Sequence, residues 1–368
     1  MNTGATYRQP WIGKAWTDIL FILLPPFGCL LFIACYPQLF QNNAELSDSW
    51  WILLILLVDV AHVYSTLYRT YFDGQTFQRQ KALLTSIPFF AFVAGVVLYS
   101  ISSIFFWRLL AYTAVFHFIR QQYGFMRIYS RKENIPAWCK KVDIFTIYYA
   151  TIFPILYWHL SSPRNFNWFI AGDFLQVKSA FLLNCFYVVY IAMIVVYVIK
   201  ELWLIGKTRK CNVPRIAIIT GTILSWYFGI VYFNGDMAFT LLNVVSHGIP
   251  YMALVWIHGI KNKEALPRKS FLNRVFSRYG IILFLLIIFL LAYLEEGLWD
   301  MMVWKERDTI FTFFASQKMN VSSTLLNIIV PLLALPQITH YVIDGFIWKI
   351  KQDNFKWNNE VAQPGKPI

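Results

Sequence analysis

Charge is scarce in this 368-residue chain: only 14% of its residues are Asp, Glu, Lys or Arg, against 58% hydrophobic and 19% aromatic. A soluble domain carries nearer a quarter of charged residues, so one or two water-soluble globular units are excluded as the main body. Signatures of soluble catalysts are missing as well. No Gly-rich phosphate loop, no GxSxG elbow and no HExxH pair occurs, which excludes nucleotide hydrolysis, serine-hydrolase and zincin chemistry of the ordinary kinds. Cysteine is sparse: Cys29, Cys35, Cys139, Cys185 and Cys211 are odd in number and form no CxxC, so neither a disulfide framework nor a thiol-redox motif is expected.

Acidic residues are also in the minority, 19 against 32 basic, for a net charge of +13. The charges fall between long apolar runs instead of forming a stripe on one face, which argues against a nucleic-acid partner. The runs are each about 18 to 25 residues, enough to cross a hydrocarbon core of about 30 Å. They lie near residues 16–36, 50–68, 82–102, 104–126, 142–159, 179–203, 214–233, 237–260, 279–298 and 323–348. The expected fold is therefore all-α, one integral membrane domain over 1–368 with about ten spanning helices and membrane lipids as its surroundings. Pro331 and Pro336 predict a kink in the last span.

Lys and Arg translocate poorly, and here they alternate with the spans. With the N-terminus inside, segments 1–15, 69–81, 127–141, 204–213, 261–278 and the tail after Trp348 hold about 25 of the 32 Lys and Arg residues, the opposite side about six. Both termini are thus expected on the cytoplasmic side, in a plasma membrane such as the bacterial inner membrane. The first apolar run is too long for a signal-peptide core and is expected to remain as a helix. Asn320-Val-Ser322 would accept a glycan only in a secretory pathway. Segments 161–178 and 299–321, rich in Phe and Trp, are expected to lie along the interface, either capping a site or anchoring the bundle.

Polar groups buried in lipid are costly and usually face inward with a partner or a task. Four histidines stand inside spans: His62, His117, His247 and His340, on four helices that run in the same direction. At 1.5 Å per residue, His62 and His117 lie about 18 Å from the outer ends of their helices, His247 about 15 Å and His340 about 25 Å, which makes a common layer attainable. Asp59 precedes His62 by three residues and Asp344 follows His340 by four, so each pair shares a helix face. Either carboxylate would bind a metal beside the imidazole or accept its second N–H. His258 is a further candidate ligand on nearly the face of His247, but about 16 Å away along the axis at the cytoplasmic mouth. Pro250, three residues after His247, is expected to open that helix near the site.

Imidazoles from several helices with one or two carboxylates suit iron, zinc or copper, and histidine plus carboxylate with open positions is the non-haem iron pattern. The alternative is that each histidine hydrogen-bonds a neighbouring helix. Arg120 and Gln121, one turn past His117, are the candidate catalytic polar groups. Arg120 is expected to pair with Asp59 or Asp344, to bind an anionic headgroup, or to snorkel to the interface.

The clustered HxxxH and HxxHH boxes of membrane desaturases and sterol hydroxylases are absent. The dispersed pattern, one histidine per span at His62, His117, His247 and His340, resembles bacterial membrane carotene-cleaving dioxygenases of the bacteriorhodopsin-related-protein type. That resemblance implies a non-haem iron held by scattered intramembrane histidines and an apolar polyene cut by dioxygen. The resulting expectation is a metal-dependent membrane enzyme, with iron as cofactor and zinc or copper as alternatives, acting on an apolar small molecule from the bilayer. Three other classes stay open: a transporter or channel using His, Asp and Arg as a relay, a metal-independent transferase with a histidine base, and b-type haem between His247 and His258.

Overall fold

A computed structural model describes residues 8–41 and 46–348. The described residues form an all-helical bundle with no strand among them. We number its long helices in chain order. The first, α1, is a bent pair, Ala15–Leu23 and Pro25–Cys35, with 56° between its halves. Pro25 and Pro26 supply no N–H to the preceding turn, which is why the bend falls there. Among the described residues, seven helices are long and apolar enough to cross a membrane: α2 (Asp48–Arg69), α3 (Lys81–Ile101), α6 (Ala180–Thr208), α7 (Val213–Tyr232), α8 (Asp236–Ala265), α9 (Ile281–Trp304) and α10 (Ser323–Ile347).

The remaining two, α4 (Ser103–Tyr129) and α5 (Ala137–Leu160), have 27 and 24 residues and coincide with apolar runs in the sequence. They are long enough but less apolar, because α4 carries His117, Gln121 and Gln122 and α5 carries Lys140, Lys141 and Asp143. The C-terminal segment past Trp348, which the charge pattern assigns to the cytoplasmic side, lies outside the described residues.

Helix α8 is the axis of the bundle. Its most apolar stretch is 83% buried inside the protein, against 11% for α3 and 17% for α6, which pack on the periphery. Sequence explains this: α8 mixes small and polar residues, Asn243, Ser246, His247 and Gly248, that only a protein interior can satisfy, whereas α3 and α6 present Val, Ile, Leu and Phe all round. Contrary to expectation, Pro250 does not open α8, which is continuous from Asp236 to Asn262. The carbonyl that Pro250 leaves without an N–H belongs to Ser246, and the Gln122 amide from α4 donates to it at 3.2 Å. In α10, where a kink was expected, the helix is interrupted at Ala334, between Ser323–Leu333 and Leu335–Ile347.

The first part of α2 is wound wider than an α-helix, a π-helical stretch over Ile52–Val60 that returns to α geometry at Ala61. Such stretches re-aim side chains and are frequent at functional sites. Here Asp59 faces a cavity while His62 faces the bundle centre. Both long loops close that end of the bundle. In the loop after α5, Asp173 accepts backbone N–H groups of Trp168, Phe169 and Ile170 at 2.7 to 3.3 Å, and Phe166 and Phe174 are buried. Burial raises the Asp173 carboxyl above its ordinary range against the pull of those donors. In the other loop Phe311 and Phe314 plug into the bundle beside α9.

Candidate metal centre

The four histidines of the separate spans meet. One ligand atom from each of His62 (α2), His117 (α4), His247 (α8) and His340 (α10) lies within 4.8 Å of the others. Their ring centroids are 4.5 to 5.0 Å apart around the group, and all four residues are buried, with 0 to 3% exposure.

Hydrogen bonds fix which nitrogens are available. His62 Nδ1 lies 3.2 Å from the Val58 carbonyl, which only accepts, so Nδ1 carries the proton and Nε2 holds a lone pair. That Nε2 sits 3.1 Å from His247 Nε2. The tautomer of His340 follows from a chain of donors. Tyr251 donates its hydroxyl to Asp344, so Thr66, at 2.9 Å, donates to Tyr251, and Thr66 Oγ1 must accept from His340 Nδ1 at 2.7 Å. His340 Nε2 then points into the group as a bare lone pair. It has no hydrogen-bond partner; neither has His117 Nε2 or His247 Nδ1.

Buried polar atoms are normally satisfied, and three orphaned ring nitrogens within one group of four buried histidines need a reason. A metal with nitrogen bonds of about 2.1 Å holds its ligand atoms about 3 to 4 Å apart, so the observed group closes around an ion with movements of under about 1 Å. The donor set fits a first-row transition metal, for which neutral imidazole suits iron, zinc, copper and nickel.

A second layer supports the first. Four residues after each histidine comes a polar residue: Thr66, Gln121, Tyr251 and Asp344. Because contacts occur within both layers, the four helices run parallel, and an i+4 residue sits about 6 Å further along the bundle. Asp344 faces the Nδ1 atoms of His340 and His117 at 3.8 and 3.9 Å, and Trp348 Nε1 donates to Tyr251 at 3.4 Å. Gln121 donates to the His247 carbonyl at 2.8 Å. Walls of aromatic carbon complete the centre: Phe118 stacks on His247 with centroids 3.6 Å apart, and the Tyr341 ring is 4.8 Å from His117. Gly248 lets α8 come close to α2, since a Cβ there would meet Val58 Cγ1 at 2.8 Å and the Val58 carbonyl at 3.0 Å.

Against known proteins, the chain matches no family model, no curated protein and no solved structure. Its function must be read from the site.

Of the residues singled out in the sequence, the four spanning histidines are brought together and three candidate ligands are not. Asp59 is 3.9 Å from His62 Nδ1, the nitrogen already committed to Val58, and is turned to the cavity. Asp344 meets Nδ1 atoms, on the far side of the rings from the free Nε2 atoms, so it orients ligands. His258, three turns along α8, packs its ring 5.6 Å from Trp348 and bonds Asn262, outside the group. The expected pairing of Arg120 with Asp59 or Asp344 does not form. Arg120 is exposed, donates to the Tyr148 hydroxyl at 2.6 Å and covers the Tyr123 ring. Gln121 braces backbone instead of facing an open reaction space. Thr66, Tyr251 and Phe118 belong to the centre and were not anticipated, although Thr66 and Tyr251 carry the same i+4 spacing that marked Asp344.

Proposed function

We propose that the protein is an integral membrane, metal-dependent enzyme whose histidines His62, His117, His247 and His340 hold a non-haem iron and which oxidises or oxidatively cleaves an apolar, lipid-borne substrate. The observation that carries this reading is the meeting of four buried histidines, one ligand atom of each within 4.8 Å of the others, with three of their ring nitrogens unpartnered. Bound iron would supply dioxygen activation, and four neutral imidazoles leave positions open on a metal that accepts six ligands. Cleavage of one C=C bond by O2 into two carbonyl groups balances without an added reductant.

The chain's own residues would do the rest. Val58 and Thr66 hold the imidazoles in their metal-binding tautomers, Asp344 and Tyr251 brace the second layer, and Phe118 and Tyr341 keep water from the rings. The topology that accompanies this reading has ten spans and cytoplasmic termini, so that the two long loops face the opposite side. A bacterial inner membrane would suit it.

The test is oxygen uptake by iron-loaded protein given lipid extracts, with carbonyl products followed by mass spectrometry. One O2 consumed per bond cleaved, lost in His340→Ala, is the expected result. One observation favours a second reading, cation transport: a large acidic cavity reaches the histidine layer. Metal flux into sealed vesicles, with no oxygen uptake on any extract, would establish transport and overturn the enzyme.

A further inference from the structure

The histidine group is sealed, so an ion that reaches it needs a route. At the loop end of the bundle lies a cavity of about 910 Å³, roofed by residues 165–171 and by the segment from Trp299 to Phe311. Its floor is one side-chain layer from the histidines, because Asp59, Val63, Phe118 and Tyr341 line it and three of these touch the ligand rings: Asp59 His62, Phe118 His247 and Tyr341 His117.

Carboxylates dominate the charged part of the wall, and Arg307 is the one basic residue among the described lining residues. That cation is already committed, to Asp48 at 2.9 Å and to the face of Trp51. Going inward, Asp300 is 3% exposed: its Oδ1 accepts the backbone N–H groups of Glu306 and Arg307 at 2.8 Å, and its Oδ2 is buried with no partner. Next come Glu296, whose carboxylate makes no hydrogen bond among the described residues, and Glu295, which accepts from Tyr64 at 2.6 Å. Asp59 closes the series beside His62. Negative charges kept at membrane depth without cationic partners are costly, and a positive ion among them offsets that cost.

We propose that this cavity is the loading route for a divalent transition-metal ion, which is drawn from the aqueous side past Asp300, Glu296 and Glu295 to Asp59 and handed to the four histidines. The inference rests on the metal-site reading and deepens it by naming the ion's side of access and the residues that conduct it. A cleft of one charge sign with low-dielectric walls focuses the field and raises the capture rate of the opposite charge by 10-fold or more. Neutralising its carboxylates therefore slows loading while leaving the histidine ligands intact.

The experiment uses full-length protein in lipid nanodiscs, stripped of metal, with Co²⁺ as the probe. Ligand-field absorption gives the rate and elemental analysis the final cobalt per chain. Glu295→Gln/Glu296→Gln is expected to load at least about 10-fold more slowly than wild type at low ionic strength, to the same final cobalt content. Its rate should also depend less on salt. Should the double variant fail to fold, Glu296→Gln alone, which removes no hydrogen bond, is expected to slow loading in the same direction. Equal rates and equal salt dependence in a folded variant and wild type would overturn the route while leaving the site standing. Failure of wild type to take up cobalt at all would overturn both.

Discussion

Two of the buried polar clusters among the described residues are built in opposite ways. Toward the end away from the long loops, Arg215 of α7 meets Asp143 of α5 at 2.9 Å, Glu201 of α6 at 2.6 Å and Glu133 at 3.0 Å, while Lys200 bonds Asp143 and Glu201. Each charge there has an opposite charge in contact, and Lys200 and Arg215 are 1% exposed. At the histidine centre the carboxylates of Asp59 and Asp344 stand no nearer than 3.8 Å to the ring Nδ1 atoms, and three ring nitrogens are left with no hydrogen-bond partner. A cluster in which every charge is ion-paired fastens helices to each other. An unsaturated one, braced by the hydrogen bonds of Thr66, Tyr251 and Asp344, is the arrangement expected of a ligand site.

That contrast can be broken by substitution. Arg215→Ala leaves Glu133 buried without its cation and Asp143 and Glu201 with Lys200 alone, and is expected to destabilise the protein by about 3 to 5 kcal/mol, read as a lower melting temperature in detergent, with metal content per folded chain unchanged. A small effect would show that the network is more hydrated than its burial implies. Thr66→Val removes the acceptor that sets the His340 tautomer. Metal affinity is expected to fall about 10- to 100-fold in competition with a chelator, with little change in melting.

Gly248→Ala places a methyl against Val58 and pushes α2 from α8, with an expected loss of about 1 to 3 kcal/mol and weakened metal binding together. Unchanged affinity would show that the approach of α2 to α8 is not needed to form the centre. Gln122→Leu strands the Ser246 carbonyl beside Pro250 and is expected to cost about 1 kcal/mol in thermal unfolding, the smallest effect of the four.

Much of the site was legible because membrane depth makes polar residues rare. The four spanning histidines stood out as interruptions of apolar runs, and hydropathy placed each on its own helix. Angular position was less legible. Arg120, three residues after His117, is rotated about 60° from it, and a long side chain on that edge reaches Tyr148 instead of the centre. Gln121, at i+4, is nearer the direction of His117 and does turn inward.

Asp59 illustrates a different limit: its side of α2 is set by the π-helical winding of Ile52–Val60, which an apolar run of Ile, Leu and Val does not announce. The cavity was illegible for a similar reason, since it is assembled from loop residues and from Asp59, Glu295 and Asp300, which are remote in sequence. The kink in α10 was expected from its prolines, but the continuity of α8 through Pro250 depends on Gln122 of another helix.

The central claim is that the four histidines hold a metal, and the most direct measurement is the metal content of detergent-purified protein prepared without chelators or a histidine tag, compared with His117→Ala and His340→Ala. About one iron, zinc or copper per chain is expected in the wild type, falling by more than the roughly 100-fold in affinity that loss of a supporting residue produces, in variants that still fold. Metal-free wild type, or metal retained undiminished in both variants, would contradict the assignment.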